Sequence, residues 1–228
     1  MTTDLDEFFT HLALDYDWQT RLLSLGFDRR WRKFTAQCIK SEPGDIVLEL
    51  ACGTGEMANS IIIAQPHLQV YALDNNPAML AVAHGKLKQT PIFFMLGNAY
   101  SLPFTDSFFK AVVVSFGLRI VQDRQQMLTE IKRVLKPGGR AYFLETAPFS
   151  KGFAGRILQT LRPIIISALQ YLAPGWQGYR YLLDSMLDLP LDGQLHDILK
   201  KAGLLAPRSY ALSPPLARLH IAEKYIYD

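Results

Sequence analysis

The segment Val47-Leu48-Glu49-Leu50-Ala51-Cys52-Gly53-Thr54-Gly55 most narrows what this chain can become. A short, mostly apolar run from Ile46 to Ala51 breaks into a glycine-rich turn. Met57, Ala58, Ile61 and Ile62 then recur at helical spacing. Strand, glycine turn and helix open a βαβ unit, and a short strand without polar alternation is one buried on both faces, as in a parallel sheet. The rhythm repeats downstream. Leu68 to Leu73 reads as a second strand; Asn76 caps the next helix, Pro77 suits its first position, and Met79, Leu80, Val82, Ala83 and Leu87 line it. Ile92 to Leu96 and Ala111 to Phe116 give a third and a fourth strand. Met127, Leu128, Ile131, Val134 and Leu135 predict a helix ended by Pro137-Gly138-Gly139, and Arg140 to Thr146 a fifth strand. Leu195, Ile198, Leu199 and Ala202 predict a last helix stopped by Gly203, with two strands near 207–212 and 218–227. The fold class expected is α/β, a doubly wound, mostly parallel, seven-stranded, Rossmann-like sheet.

A chain of 228 residues suits one such domain. Residues 1–40 read as a helical N-terminal segment, 41–146 as the cofactor-binding core, 147–192 as a helical cap insertion that breaks the strand-helix rhythm, and 193–228 as the final helix and strands. The apolar fraction of 49% supports a sizeable core, and a net charge of only +3 argues against nucleic acid as a partner. Cys38 and Cys52 lack metal-ligand spacing and suggest a reducing compartment. The five histidines share no spacing, and no metal is expected. The start, Met1 to Glu7, is acidic and unlike a secretory signal. No apolar run approaches the ~18 residues that span a bilayer. The expected location is cytoplasmic, with peripheral contact at the inner face of a membrane as a further option.

In an open α/β sheet, ligands bind beyond the carboxyl ends of the strands at the switch point. Gly53 and Gly55 stand there, where backbone can approach a ligand without a Cβ clash. The spacing Gly53-x-Gly55-x-x-Ala58 also fits a nicotinamide fingerprint and is weak evidence alone. Three features favour S-adenosylmethionine. Glu49, inside the strand, can attract the amino acid moiety of the cofactor, directly or through a water. Asp74, ending the second strand, can accept both ribose hydroxyls. Asn98 and Ala99, after the third strand, can read the adenine edge. The competing reading makes Glu49 and Asp74 a strand-end charge and a cap. Ala51, Cys52, Asn75, Met79 and Ser115 complete the expected cofactor contacts.

Ser115-Phe116-Gly117-Leu118-Arg119, Arg133-Val134-Leu135-Lys136-Pro137-Gly138-Gly139-Arg140, Leu144-Glu145 and Tyr179-Arg180-Tyr181-Leu182 carry a family resemblance. So do Tyr16-Asp17, Ser24-Leu25-Gly26, Arg29 and Trp31. On these motifs the chain resembles the ubiquinone/menaquinone biosynthesis C-methyltransferases over nearly its whole length. The resemblance implies a class I methyltransferase fold, S-adenosylmethionine, often a homodimer, and methylation of a ring carbon of a polyprenylated quinol: demethylmenaquinol or a 2-polyprenyl-6-methoxy-benzoquinol. The chain departs from the family at Ile120, where an asparagine is typical, and at Thr20 and Asp28, usual places of asparagine and histidine. These departures bear on which quinol is used.

A quinol carbon attacks a methyl group once a ring hydroxyl loses its proton, so the site must position the ring and stabilise a phenolate. Arg119 is assigned to the phenolate, with an ion pair to a carboxylate as the alternative. Glu145 is the candidate base if burial raises its pKa, or else a partner for Arg119 or Arg180. Tyr16 either hydrogen-bonds substrate, covers the cofactor, or belongs to the core. Phe116, Arg119, Ile120, Tyr179, Arg180 and Tyr181 are the expected acceptor contacts. Arg156 to Ala173 reads as a helix lining a tail groove or lying on a membrane, or as a buried cap helix. Arg29-Arg30-Trp31-Arg32-Lys33 reads as a solvated face, with anionic headgroups as the alternative. Rival readings are a methyltransferase for another small apolar acceptor, a non-catalytic cofactor-binding subunit, and, remotely, a nicotinamide oxidoreductase.

Overall fold

The computed structural model describes residues 2–147, 160, 192–213 and 216–226. Three helices come first: α1 (Thr2–Leu12), α2 (Tyr16–Leu23) and α3 (Asp28–Cys38). Then β1 (Ile46–Leu50), α4 (Glu56–Ala64), β2 (Gln69–Asp74), α5 (Pro77–Lys86), β3 (Ile92–Leu96), β4 (Phe109–Ser115), α6 (Arg124–Val134) and β5 (Leu135–Thr146) follow. The described chain ends with α7 (Asp192–Lys201), β6 (Leu204–Leu212) and β7 (Ala217–Lys224). The seven strands form one sheet in the order β3-β2-β1-β4-β5-β7-β6. The first five are parallel, and β7 runs antiparallel between β5 and β6. This is the class I methyltransferase topology.

Alternation along the strands divides the core between the two sheet faces. Val47, Val70, Ala72, Ala111, Val113, Tyr142 and Leu144 pack with Met57, Ala58 and Ile61 of α4 and with Trp31 and Ala36 of α3. Leu48, Leu50, Leu73, Val112, Val114 and Phe143 face the other way, onto Met127, Leu128 and Ile131 of α6 and Leu195 and Leu199 of α7. Val112, Val113 and Val114 are wholly buried, worth roughly 1.5–3 kcal/mol each. Asn76 caps α5 through its side-chain oxygen, which accepts from Ala78 N and Met79 N, with Pro77 beside it.

Most strand ends shift by one to three residues, as in β4 (Phe109–Ser115), β6 (Leu204–Leu212) and β7 (Ala217–Lys224), and the start of β5 differs in kind. Leu135 leaves the helix and begins β5, and Lys136-Pro137-Gly138-Gly139 bulge within the strand. Leu135 pairs with Phe109 and Arg140 with Ala111, so four residues loop out opposite one. Gly138 takes φ +70°, and a Cβ on Gly139 would sit 2.7 Å from the Lys136 carbonyl oxygen. The two glycines are what let the strand resume. Residues 148–191, Thr160 apart, hold the expected cap with Tyr179, Arg180 and Tyr181 and the stretch from Arg156 to Ala173; they lie outside the described residues.

Candidate active site at the carboxyl ends of the strands

Strand order reverses at β1, which has β2 on one side and β4 on the other. The turn from β1 to α4 lies at this point, where open sheets bind ligands. It is built from left-handed residues: Ala51 at φ +54°, Gly53 at +54° and Gly55 at +79°. The two glycines serve different ends. A Cβ on Gly55 would meet Leu87 Cδ1 at 3.0 Å and Phe94 Cε1 at 3.1 Å, whereas among the described residues Gly53 has no such neighbour within 4 Å. Gly55 lets the turn pack; Gly53 leaves space above it. Cys52 N donates to Leu73 O at 3.1 Å and Gly53 N to Asp74 Oδ2 at 2.7 Å, which pins the turn to β2.

Glu49 and Asp74 both have structural duties. Gly55, at the head of α4, offers no capping side chain, and Glu49 Oε2 reaches from β1 to accept from Ala58 N at 2.7 Å. Burial pushes the Glu49 carboxyl up to about 8, against the opposing pull of Arg32 and the Ala58 N–H. A carboxyl in that state is ready to ionise beside an incoming cation. Asp74 accepts from Gly53 N and, at 2.9 Å, from Asn76 N. Its carboxylate therefore shapes the turn at the strand end where a ribose would lie. Met79 and Cys52 are buried, Ala51 and Ala99 half-buried, and Asn75 exposed. Asn98 is exposed, and its Oδ1 accepts from Tyr100 N at 2.8 Å in a turn of its own.

The N-terminal helices close onto this turn. Asp17 of α2 accepts from the Thr54 hydroxyl and from Lys86 of α5, and Lys86 also reaches Glu56 at 2.8 Å. Asn76 Nδ2 donates to Thr10 Oγ1 of α1 at 3.0 Å. Tyr16 lies half-buried with its ring edge-on to Phe9, 6.4 Å between centroids.

Past β4 the chain turns sharply at Phe116, which takes φ +57°. A Cβ on Gly117 would meet Val114 Cγ1 at 3.0 Å and Ala51 Cβ at 3.1 Å, so the turns after β4 and β1 touch. Arg119 and Glu145 come together: Arg119 Nη1 lies 3.4 Å from Glu145 Oε2, and the two side chains are 7% and 1% exposed. Glu145 also accepts from Leu118 N at 2.8 Å. Burial raises the Glu145 carboxyl, with Arg119 opposing. Among the described residues Arg119 Nε has no hydrogen-bond partner, and its guanidinium lies over the Phe116 ring, 5.5 Å from the centroid. Ile120 is half-buried beside it.

The basic run on α3 divides in a way its composition conceals. Arg29, Arg30 and Lys33 are exposed, while Trp31 and Arg32 are buried. Arg32 Nη1 donates to Ser115 Oγ at 2.8 Å, and its guanidinium lies 5.1 Å from the Phe116 centroid. Helical periodicity holds the signal: Asp28, Trp31, Arg32, Thr35 and Ala36 share the inward face of α3. Asp17 was legible only as part of a motif; nothing in its spacing points to Thr54.

These residues fit S-adenosylmethionine. A buried carboxyl poised to ionise suits an ammonium, a carboxylate at the end of β2 suits a ribose, and the space above Gly53 admits a ligand against backbone. Comparison with known proteins agrees. Residues 2–224 match the ubiE/COQ5 methyltransferase family. The chain is 36% identical over 197 residues to demethylmenaquinone methyltransferase of Thermotoga maritima, covering 86% of this chain and 85% of that protein. It is 35% identical over 227 residues to the ubiquinone/menaquinone biosynthesis C-methyltransferase UbiE of Haemophilus ducreyi, covering 95% and 86%. Among solved structures, a SAM-dependent methyltransferase from Aquifex aeolicus superposes with a TM-score of 0.62 at 15% identity, over 84% of this chain and 88% of that one. The chain belongs to the ubiE/COQ5 methyltransferase family and is an S-adenosylmethionine-dependent methyltransferase acting on a small-molecule acceptor.

Proposed function

We propose that this enzyme methylates a ring carbon of a polyprenylated quinol, demethylmenaquinol or the related methoxy-benzoquinol. The observation that carries the reading is the buried Arg119–Glu145 pair at the ends of β4 and β5, a fixed cation where a phenolate needs one. The relatives named for demethylmenaquinone and ubiquinone/menaquinone methylation support it. The bound cofactor supplies an electrophilic methyl group. Arg119 holds the ring oxygen and favours its anionic form in a site screened from water. Glu145 orients that guanidinium and, with its carboxyl raised by burial, takes the ring hydroxyl proton, directly or through a water. The ring carbon would take the methyl group that the bound cofactor gives; the ring hydrogen would leave as a proton to water, restoring the aromatic ring, and Glu145 returns its proton to the ring oxygen. Phe116 and Ile120 form the apolar wall against which the ring lies. Glu49 takes the cofactor's ammonium, Asp74 its ribose, and Asn98 and Ala99 its adenine; Ala51, Cys52, Asn75, Met79 and Ser115 complete that pocket.

A polyprenyl tail is delivered from a bilayer, and one surface suits an anionic one. Trp18 and Leu22, one turn apart on α2, are each 45% exposed, flanked by Leu14 at 85% and Leu25 at 73%. Arg29, Arg30 and Lys33 stand exposed on the next helix. Apolar side chains beside cations are the composition of an interfacial contact. Among the described residues, no helix is long and apolar enough to cross a membrane.

The test is incubation with methyl-labelled S-adenosylmethionine and short-chain demethylmenaquinol or methoxy-benzoquinol under reducing conditions. Label in the quinone fraction after reoxidation supports the reading. Label found only on a different phenolic acceptor would overturn it and favour a pocket reshaped at Ile120.

A further inference from the structure

We propose that Arg32 is the anion half of a zwitterion receptor, binding the α-carboxylate of S-adenosylmethionine while Glu49 takes the ammonium on the same carbon. The inference rests on the cofactor class alone and is independent of which acceptor is methylated.

Position comes first. Ser115 is the last residue of β4, and β4 pairs with β1 so that Val114 lies beside Leu50. Ser115 therefore stands next to Ala51, where the glycine turn begins. Its hydroxyl fixes Arg32 at 2.8 Å, and Arg32 is 5% exposed. Two elements distant in sequence thus set a guanidinium at the seam between β1 and β4, and Glu49 lies on β1 two residues before the turn.

Chemistry comes second. A buried guanidinium ordinarily finds a carboxylate. Arg32 has a neutral hydroxyl on Nη1, the face of Phe116 at 5.1 Å and the Asp28 carboxylate only as a loose ion pair. Asp28 Oδ2 lies 4.0 Å from Nε, too far for a hydrogen bond, and Asp28 Oδ1 accepts from Ser24 Oγ at 3.0 Å. Nε has no hydrogen-bond partner among the described residues. A planar fork with a free donor, held in place and shielded from water, matches a carboxylate. Glu49 Oε2 accepts from Ala58 N at 2.7 Å, and Glu49 feels Arg32 as a charge, with no hydrogen bond between the two among the described residues. A cation receptor and an anion receptor at the same seam match the charge pair that an amino acid carries. Arg119 is committed elsewhere, 3.4 Å from Glu145.

The test compares two probes, S-adenosylmethionine and its decarboxylated form, by equilibrium binding to the full chain. The wild type should prefer the intact cofactor by roughly 10- to 100-fold, the value of a charge-assisted hydrogen-bonded pair. Arg32→Met should weaken intact cofactor by that factor, leave the decarboxylated form within about 3-fold, and so erase the preference. Arg32→Lys and Ser115→Ala, milder changes that keep a cation or free the existing one, should each reduce the preference several-fold with the melting temperature preserved. Equal weakening of both probes would overturn the proposal and make Arg32 a packing residue. Unchanged binding of both probes with a raised acceptor KM would also overturn it and assign Arg32 to the acceptor. A failure of the quinol assay leaves the probe ratio untouched, so the two readings fail separately.

Discussion

Binding of the cofactor should release a proton from Glu49, and the sign of that exchange should reverse near pH 8. Burial holds the Glu49 carboxyl at about 8 instead of 4.5 in the free protein, and the cofactor's α-amino group titrates at about 8 as well. An ammonium docked on a carboxylate holds one proton between the two groups. At pH 6 both partners begin almost fully protonated, so about one proton leaves; at pH 7 about 0.8 leaves; at pH 8 the exchange is close to zero; at pH 9 about 0.8 is taken up. Titration calorimetry in buffers of different ionisation enthalpy reads this number directly. Glu49→Gln keeps an oxygen for Ala58 N, so the head of α4 stays capped, and release at pH 7 should fall below about 0.2. The free protein should respond too. A carboxyl whose pKa is raised on folding binds more protons when folded, so its contribution is absent below pH 4.5 and destabilises progressively as pH rises toward 8. Glu49→Gln should therefore stabilise the free protein at pH 7, by about 3 kcal/mol. Heats that do not vary with buffer at pH 6 and at pH 9 would refute the argument, because neither group would then change its protonation on binding.

Three further outcomes are expected. Arg119→Ala should lower turnover by roughly 10²- to 10³-fold with cofactor affinity within about 3-fold; steady-state kinetics with equilibrium binding checks it, and the reverse pattern would make Arg119 a cofactor residue. Asp74→Ala should weaken cofactor binding by at least about 100-fold, since it removes both the ribose carboxylate and the acceptor of Gly53 N and Asn76 N; an unchanged dissociation constant would show the ribose is held elsewhere. His220, half of a chain running from His196 through Ser209 at 2.7 and 2.6 Å, has its pKa pushed down to about 4 by burial. Its stabilising contribution is intact above pH 6.5 and is lost as pH falls toward 4, about 2 kcal/mol by pH 5. Urea unfolding at pH 7.5 and pH 5 should show that acid loss reduced in His220→Gln; an identical loss in the variant would refute it.

Most of the sheet was legible because local rules and the fold agree. Buried parallel strands announce themselves as short apolar runs, and Asn76-Pro77 caps α5 as its residue types require. The beginning of β5 was not legible, because Pro137-Gly138-Gly139 reads as a stop wherever it occurs, and only pairing with β4 makes it a bulge. The proposed cofactor half of the site was legible as charged residues at strand ends. Arg32 was missed, because the composition of a basic run does not say which member faces inward; only its helical spacing from Asp28, Trp31 and Thr35 does.

The glycine turn after β1, the carboxylates Glu49 and Asp74, and the family motifs around Arg119 and Glu145 are written in the sequence, since each depends on residue type at fixed spacing along one element. Tertiary structure alone decided which groups meet: Arg32 with Ser115, Asp17 with Thr54, Arg119 with Glu145, Glu49 with Ala58 N. The reason is physical. Spacing fixes the face a side chain leaves from, but its partner, its burial and hence its charge state depend on elements brought alongside by the fold. For Glu49, the sequence supplied a carboxyl in a strand, and packing made it one that holds its proton to about pH 8.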